Sequence, residues 1–82
     1  MTKGEYRVGI NFNPAGADTV NKIKRAAADL IDLIDSIESH YPDEDQSDDA
    51  WGRFTEIQRL KNIAESTVES AAMWAVKAAT KT

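Results

Sequence analysis

Residues 54–78, FTEIQRLKNIAESTVESAAMWAVKA, decide the fold class of this chain. Apolar side chains recur along this stretch at intervals of three and four residues, the spacing that gathers them on one face of an α-helix. The main stripe comprises Ile57, Leu60, Ala64, Val68, Ala71, Ala75 and Ala78. A projection at 3.6 residues per turn gives a second, adjacent strip of Ile63, Thr67 and Trp74. A single neighbouring helix cannot cover both strips. The stretch therefore predicts a helix with more than one packing partner.

A first helix is predicted upstream, where apolar residues recur at the same spacing between Thr19 and Ser39. Its stripe comprises Val20, Ile23, Ala27, Leu30, Ile34 and Ile37, and Ile31 widens it. Residues 40–48 hold Pro42 and a run of acids, a composition typical of an exposed loop. Two helices joined by one loop form an antiparallel hairpin.

The sequence therefore predicts a single all-α domain built on a two-helix hairpin. Its predicted parts are an N-terminal arm at 1–17, a first helix at 18–39, an acidic loop at 40–48 and a second helix at 49–79, within one domain at 1–82. We expect the arm to be extended or to contain a brief helical turn, because Gly9 and the lack of a partner strand argue against a sheet.

The second apolar strip predicts self-association. Hairpins that pack against one another would bury it in a homo-oligomeric helical bundle. The predicted interface residues are Met73, Trp74, Ala71 and Ala75, because small residues let another backbone approach closely. The alternative is that residues 6–12 of the arm cover part of the same surface.

Composition excludes several chemistries. The chain has 82 residues, 14 acidic and 10 basic, with a net charge of −4, no cysteine and one histidine. Disulfides and cysteine nucleophiles are excluded, and His40 alone cannot supply a histidine-based metal site. No nucleophile–base set and no phosphate-binding glycine loop occurs, so we predict no enzymatic activity, metal or cofactor. The acidic balance argues against duplex nucleic acid. The lack of a long apolar run predicts a soluble, cytosolic protein that does not enter a membrane.

Binding chemistry is better represented than catalytic chemistry. Lys24 and Arg25 lie one turn into the first predicted helix, and the aromatic residues Tyr6 and Phe12 lie on the preceding arm. A base stacked on an aromatic ring, with its phosphates paired to nearby cations, is a common way of holding a nucleotide. Composition alone favours the simpler interpretation, in which Phe12 fills the core and the cations are solvated.

Lys77 is a lone cation among alanines near the end of the second predicted helix, three residues after Trp74. It fits a phosphate contact in a pocket. It fits equally well a cation that interacts with the negative end of the helix dipole.

Two segments resemble a known family. They are Phe12-Asn13-Pro14-Ala15-Gly16, continued by Val20-Asn21-Lys22-Ile23-Lys24, and Glu69-Ser70-Ala71-Ala72-Met73-Trp74-Ala75-Val76-Lys77-Ala78-Ala79-Thr80. Both resemble the phage anti-CBASS and Thoeris anti-defence sponge family. The resemblance implies a small helical hairpin that assembles as a homohexamer in the cytoplasm of the infected bacterium. It also implies sequestration of cyclic di- or trinucleotides or cyclic-ADP-ribose isomers that serve as immune signals.

The resemblance also implies roles for particular residues. Lys24 matches a lysine that contacts the phosphates of a cyclic dinucleotide in a pocket shared by two protomers, and Arg25 adds charge beside it. Phe12 is nearest to the aromatic residue that stacks on a base, with Tyr6 as second choice. Lys77 matches a basic residue of a separate trinucleotide site, but Ala26 stands where some members carry a hydroxyl, which weakens the case for that site.

The function expected from the sequence is thus a non-enzymatic sponge for cyclic nucleotide signals. The alternative is a structural or adaptor hairpin that binds a protein partner through the wide apolar face of its second helix and takes no small ligand.

Overall fold

The computed structural model of the chain describes residues 1–9, 18–43 and 47–81. Within these ranges the secondary structure is entirely α-helical: α1 spans Lys3–Val8, α2 spans Asp18–Asp35 and α3 spans Asp48–Ala79. The all-α prediction is confirmed, and α2 and α3 form the hairpin. Phe12 and the rest of residues 10–17 lie outside the described residues.

α1 is a helix where the sequence analysis left an extended arm and a helical turn as alternatives. A capping box begins it: the Glu5 backbone N–H donates to Thr2 Oγ1 at 3.1 Å, and the Thr2 backbone N–H donates to Glu5 Oε1 at 2.8 Å. Gly9 ends it in the left-handed conformation, with φ of 75°, and its N–H donates to the Glu5 carbonyl at 3.0 Å. The spacing of Thr2 and Glu5 is a helix-start signal that the hydrophobic pattern could not reveal.

α1 packs so closely on α2 that residue 4 has room only for glycine. A Cβ atom placed on Gly4 would lie 2.0 Å from the carbonyl oxygen of Ala28. The Gly4 backbone N–H donates to Asp32 Oδ1 at 2.7 Å, which ties the two helices together. The glycine and the buried alanine beneath it therefore set the depth to which α1 docks.

The apolar core is small and consists of short side chains around one isoleucine. Its buried apolar residues are Ala27, Ala28 and Ile31 of α2 and Ala72 of α3. Ile31, predicted only to widen the α2 stripe, is its largest fully buried member, whereas Leu30 of the predicted stripe is exposed.

The inward face of α3 also differs from the predicted stripe. Leu60 and Ala71 are exposed, whereas Glu65 is fully buried. Polar side chains occupy inward positions because their partners lie on α1 and α2, and a search for apolar periodicity cannot find such positions.

α2 ends at Asp35, before the boundary predicted at residue 39. Lys61 of α3 stabilises this early end, because its Nζ atom donates to the carbonyl oxygens of Asp35 at 2.9 Å and Ile37 at 2.7 Å. Cations stabilise the free carbonyls at the end of a helix. Since the contact comes from the other helix, the apolar pattern that continues through Ile37 gave no sign of it.

Aromatic packing closes the loop between α2 and α3. The ring of Tyr41 packs edge-on against Trp51 and Phe54, with centroid distances of 5.0 and 5.2 Å. Pro42 is buried beside them. Tyr41 therefore fastens the described start of the loop to the first turns of α3, and the hairpin is antiparallel. The single chain measures 57 × 22 × 12 Å along its principal axes. None of the described helices has the length and apolarity needed to cross a bilayer.

We predict that Gly4→Ala destabilises the docking of α1. Alanine favours a helix over glycine by about 1 kcal/mol, but the new methyl group would overlap the Ala28 carbonyl and push α1 away from α2. Amide hydrogen exchange should show loss of protection at Gly4 to Val8, and the thermal midpoint should fall. Gly52→Ala is the matched control, because a Cβ atom there has nothing within 4 Å. It should stabilise α3 by about 1 kcal/mol; equal effects of the two substitutions would contradict this account of the docking.

The docking of α1 should weaken in acid. The pKa of Glu5 is lowered from 4.5 to about 2, first by the backbone N–H of Thr2 and then by the guanidinium of Arg25. A carboxyl with a lowered pKa stabilises the fold above its unfolded pKa, and the contribution is lost as the pH falls from about 4.5 towards about 2. An NMR titration of the Glu5 carboxyl should give a midpoint far below 4.5, with α1 amide exchange rising over the same range. Glu5→Gln retains the capping geometry and should remove that part of the pH dependence.

Candidate ligand-binding cleft

One cleft lies where α1, α2 and α3 meet. Its volume is about 440 Å³. Its lining residues are Arg7, Val8, Lys24, Glu69, Ser70, Ala72, Met73 and Val76. Apolar side chains therefore form much of its wall, and charged groups of both signs lie among them. Such a mixture suits a ligand with a flat apolar part and polar edges.

Arg7 of α1 is held on the cleft wall by two carboxylates of α3. Its Nε and Nη2 atoms donate to Glu69 Oε2 at 3.3 and 2.8 Å, and its Nη1 atom donates to Glu65 Oε2 at 3.4 Å. Nη2 also donates to Ser66 Oγ at 3.1 Å. Because these partners use most of its donors, the guanidinium is fixed in place and largely neutralised.

Glu65 is the anchor of this arrangement. Its relative exposure is 0%, and its Oε2 atom accepts from Lys3 Nζ at 3.2 Å as well as from Arg7. Lys3 also pairs with Asp35 at 3.0 Å. The hydrogen bonds that Lys3 donates to Asp35, and then to Glu65, raise the pKa of Lys3, and the hydrogen bond from Lys3 lowers the pKa of Asp35. Two cations of α1 thus converge on one buried carboxylate of α3.

Lys24 is the cleft cation that is not paired with a carboxylate among the described residues. It lies on the second turn of α2, is half-buried, and its Nζ atom donates to the Gly9 carbonyl at 3.4 Å, at the edge of hydrogen-bonding distance. A lysine held against a helix end and beside apolar walls can donate to an anion that enters the cleft. The structure therefore brings Lys24, predicted from sequence, into the cleft.

Arg25 and Tyr6, also predicted as ligand contacts, do not line the cleft. Arg25 pairs with Glu5 at 2.9 Å and with Asp29 at 2.7 Å, and these hydrogen bonds raise its pKa. Its role among the described residues is to fasten α1 to α2. The side chain of Tyr6 is 79% exposed on α1. Phe12 was the first choice for stacking and lies outside the described residues.

Lys77 lies on the exposed side of α3. Its Nζ atom is 5.3 Å from the centroid of the Trp74 ring, a cation–π arrangement. Met73 is 60% exposed at the cleft, and Trp74 is 61% exposed. Ala71 is exposed and Ala75 is half-buried. The placement of these four predicted interface residues leaves them accessible to a neighbour, and their role stays a prediction.

Sequence reasoning missed Arg7, although a signal was present. Lys3 and Arg7 are spaced i, i+4 on α1, and Glu65 and Glu69 have the same spacing on α3. Residues four apart share a helix face. The matching spacing of two cations on α1 and two carboxylates on α3 would have predicted that these helices pack together through salt bridges.

The fold and the cleft define a helical hairpin domain with an extra N-terminal helix, in which apolar walls and one available lysine surround a ligand-sized space. Residues 5–80 match the family model described as Acb2/Tad1, hairpin domain. The chain belongs to this family, which is the anti-CBASS and anti-Thoeris sponge family, and the predicted resemblance is confirmed. Comparison with curated proteins and with solved structures gave no match.

We predict that Glu65→Ala lowers the free energy of unfolding by about 2 kcal/mol, because it removes the hydrogen bonds that two cations donate to a buried carboxylate. Denaturant unfolding measures this change. Glu56→Ala is the control, since Glu56 and Arg59 form an exposed pair one turn apart on the same helix. Such exposed pairs contribute roughly 0–1 kcal/mol, so similar losses for the two variants would contradict the anchoring role of Glu65.

Proposed function

We propose that this protein is an anti-defence sponge that binds cyclic nucleotide signals and withholds them without degrading them. Membership of the family supports this function, and the observation that carries it is the position of Lys24 on a cleft with apolar walls. The apolar walls suit a base, and the ammonium suits a phosphate. The preferred signal is a cyclic dinucleotide, with cyclic trinucleotides and cyclic-ADP-ribose isomers as further candidates.

Sequestration is stoichiometric, because each binding site withholds one ligand molecule at a time. Its effectiveness therefore depends on the affinity for the ligand and on a slow rate of ligand release. Lys24 contacts a phosphate in this proposal, while Phe12 or Tyr6 stacks on a base. Arg25 acts indirectly, because its bonds to Glu5 hold the helix that forms one cleft wall. Lys77 and Trp74 are the candidates for a second site, on the exposed side of α3.

Exposed apolar side chains support assembly of the protein with itself. Leu33, Leu60, Ile63, Met73 and Trp74 are each about half exposed or more. By helical spacing Leu60, Ile63 and Trp74 lie on one side of α3, and an exposed apolar patch on a small chain typically marks an interaction site. We therefore propose a homo-oligomer, with a hexamer as the form that the family resemblance implies, working in the cytoplasm of an infected bacterium.

The same surface supports a second candidate function, an adaptor hairpin that docks on a protein partner. The two candidates differ in what they bind. An adaptor has no need of a nucleotide and would bury Leu60, Ile63 and Trp74 against another protein.

The test is a calorimetric titration against cyclic di- and trinucleotides and cyclic-ADP-ribose isomers, with recovery of unaltered ligand after denaturation. We expect at least one cyclic nucleotide to bind and to be recovered intact. If none binds and none raises the melting temperature, the sponge proposal fails and the adaptor remains.

Lys24→Ala should weaken capture of the bound ligand by about tenfold to a hundredfold, the worth of one charge-assisted hydrogen bond. Light scattering should show that the mass of the assembly does not change. Lys22→Ala is the matched control: Lys22 lies two residues away, is exposed and pairs with Asp18 at 3.0 Å. Equal losses from both substitutions would show that only general charge matters, and dissociation of the Lys24→Ala assembly would show that Lys24 has a structural role.

A further inference from the structure

α1 forms one wall of the cleft. Its residues Arg7 and Val8 line the space. Lys24, the cleft lysine of α2, donates through its Nζ atom to the carbonyl of Gly9, directly after the last residue of α1, at 3.4 Å. If α1 leaves the hairpin, the cleft loses this wall and Lys24 loses this contact. The cleft is therefore complete only while α1 is docked.

Polar contacts hold α1 in place. Lys3 pairs with Asp35 at 3.0 Å and with Glu65 at 3.2 Å, and it does not line the cleft. Gly4 is the one buried residue of α1, so the helix adds little apolar surface to the core. A helix of six residues is unstable by itself. Opening of α1 should therefore cost less free energy than unfolding of the whole hairpin.

Opening of α1 and binding of a ligand in the cleft are thermodynamically linked. A ligand that contacts Arg7 or Val8 binds the docked form more tightly than the open form, and so it shifts the equilibrium towards docking. The linkage is reciprocal, because a change that favours docking raises the affinity for the ligand by the same factor. A residue that acts only on docking can therefore govern capture from outside the cleft.

We infer that Lys3 is a positioning residue for ligand capture, which it supports by holding α1 in place as a wall of the cleft. Its ammonium group bridges two helices, since Asp35 ends α2 and Glu65 lies in the middle of α3. Lys3 thus fastens α1 to both arms of the hairpin. This inference rests on the proposed function and adds that capture requires a docked α1.

Amide hydrogen exchange of the wild-type chain tests the linkage. The Gly4 backbone N–H donates to Asp32 Oδ1 of α2 at 2.7 Å, so its protection reports docking. The probes are cyclic di-GMP, cyclic di-AMP and cyclic GMP–AMP, and the one that binds most tightly is used. At a free concentration about 100 times its Kd, this probe should raise the protection of Gly4 by about a hundredfold if it binds only the docked form. Unchanged protection overturns the inference.

Lys3→Glu tests the positioning role. It places a carboxylate against Asp35 and Glu65, and like charges at short range repel. Glutamate suits the positive start of a helix, so the substitution acts on docking and spares the helix itself. The α1 amides should lose protection and the affinity should fall about tenfold, because the apparent affinity follows the fraction of molecules in the binding-competent form. Lys3→Arg retains the charge and should keep both values near those of the wild type.

Two further variants separate docking from net charge. Arg59→Glu makes the same change of charge on α3, where the exposed Arg59 pairs with Glu56 one turn away, and it should leave the affinity at the wild-type value. Gly4→Ala changes no charge but forces α1 away from the Ala28 carbonyl, so the affinity should fall together with the protection of α1. A loss of affinity in Lys3→Glu that an undocked Gly4→Ala chain does not share would assign the effect to charge and overturn the inference.

The remaining outcomes separate the inference from the function on which it rests. If Lys3→Glu removes the protection of α1 and leaves the affinity unchanged, the positioning role is overturned while the sponge function stays supported. Protection that survives Lys3→Glu overturns the role of Lys3 in docking. A wild-type chain that binds none of the three probes, nor any other cyclic nucleotide, overturns the proposed function itself.

Discussion

The buried carboxylate of Glu65 is the interaction on which the rest of the structure depends. It accepts hydrogen bonds from Lys3 and Arg7, both on α1, and its own side chain is shielded from water. Removing a carboxylate from water costs several kcal/mol unless cations and donors compensate for the lost hydration. Docking of α1 supplies that compensation at Oε2, whereas Oε1 has no hydrogen-bond partner among the described residues. The short N-terminal helix and the buried acid of α3 therefore stabilise each other, and each would be unfavourable alone.

Ionic docking explains how a helix of six residues stays in place. An isolated helix of this length is unstable in water, and α1 contributes little apolar surface to the core. Its attachment comes from ion pairs at Lys3, Glu5 and Arg7, together with the close approach at Gly4. Position matters as much as energy here: once α1 is docked, Arg7 and Val8 form one wall of the cleft, and the Gly9 carbonyl lies next to Lys24.

The two cations that line the cleft differ in their partners. Glu65 and Glu69 take up most of the donors of Arg7, so this guanidinium supports the wall. Lys24 is not paired with a carboxylate among the described residues. Asp48, the first residue of α3, lies at the opposite end of the hairpin from the cleft, about 36 Å along the helix from Ala72 at a rise of 1.5 Å per residue, and Asp43 precedes it in the loop. They therefore do not oppose the entry of an anionic ligand at short range.

The sequence by itself determined the helical class and the hairpin, because helical periodicity is a property of neighbouring residues. It also contained the capping box of Thr2 and Glu5, which is local and could have predicted α1. Only the tertiary structure decided the rest: Lys61 of α3 binds carbonyls that are free where α2 ends at Asp35. Likewise, Glu65 is buried because two cations of α1 meet it there. A charged side chain is buried only where a partner lies beside it in three dimensions, and the hydrophobic pattern of the sequence contains no information about that position.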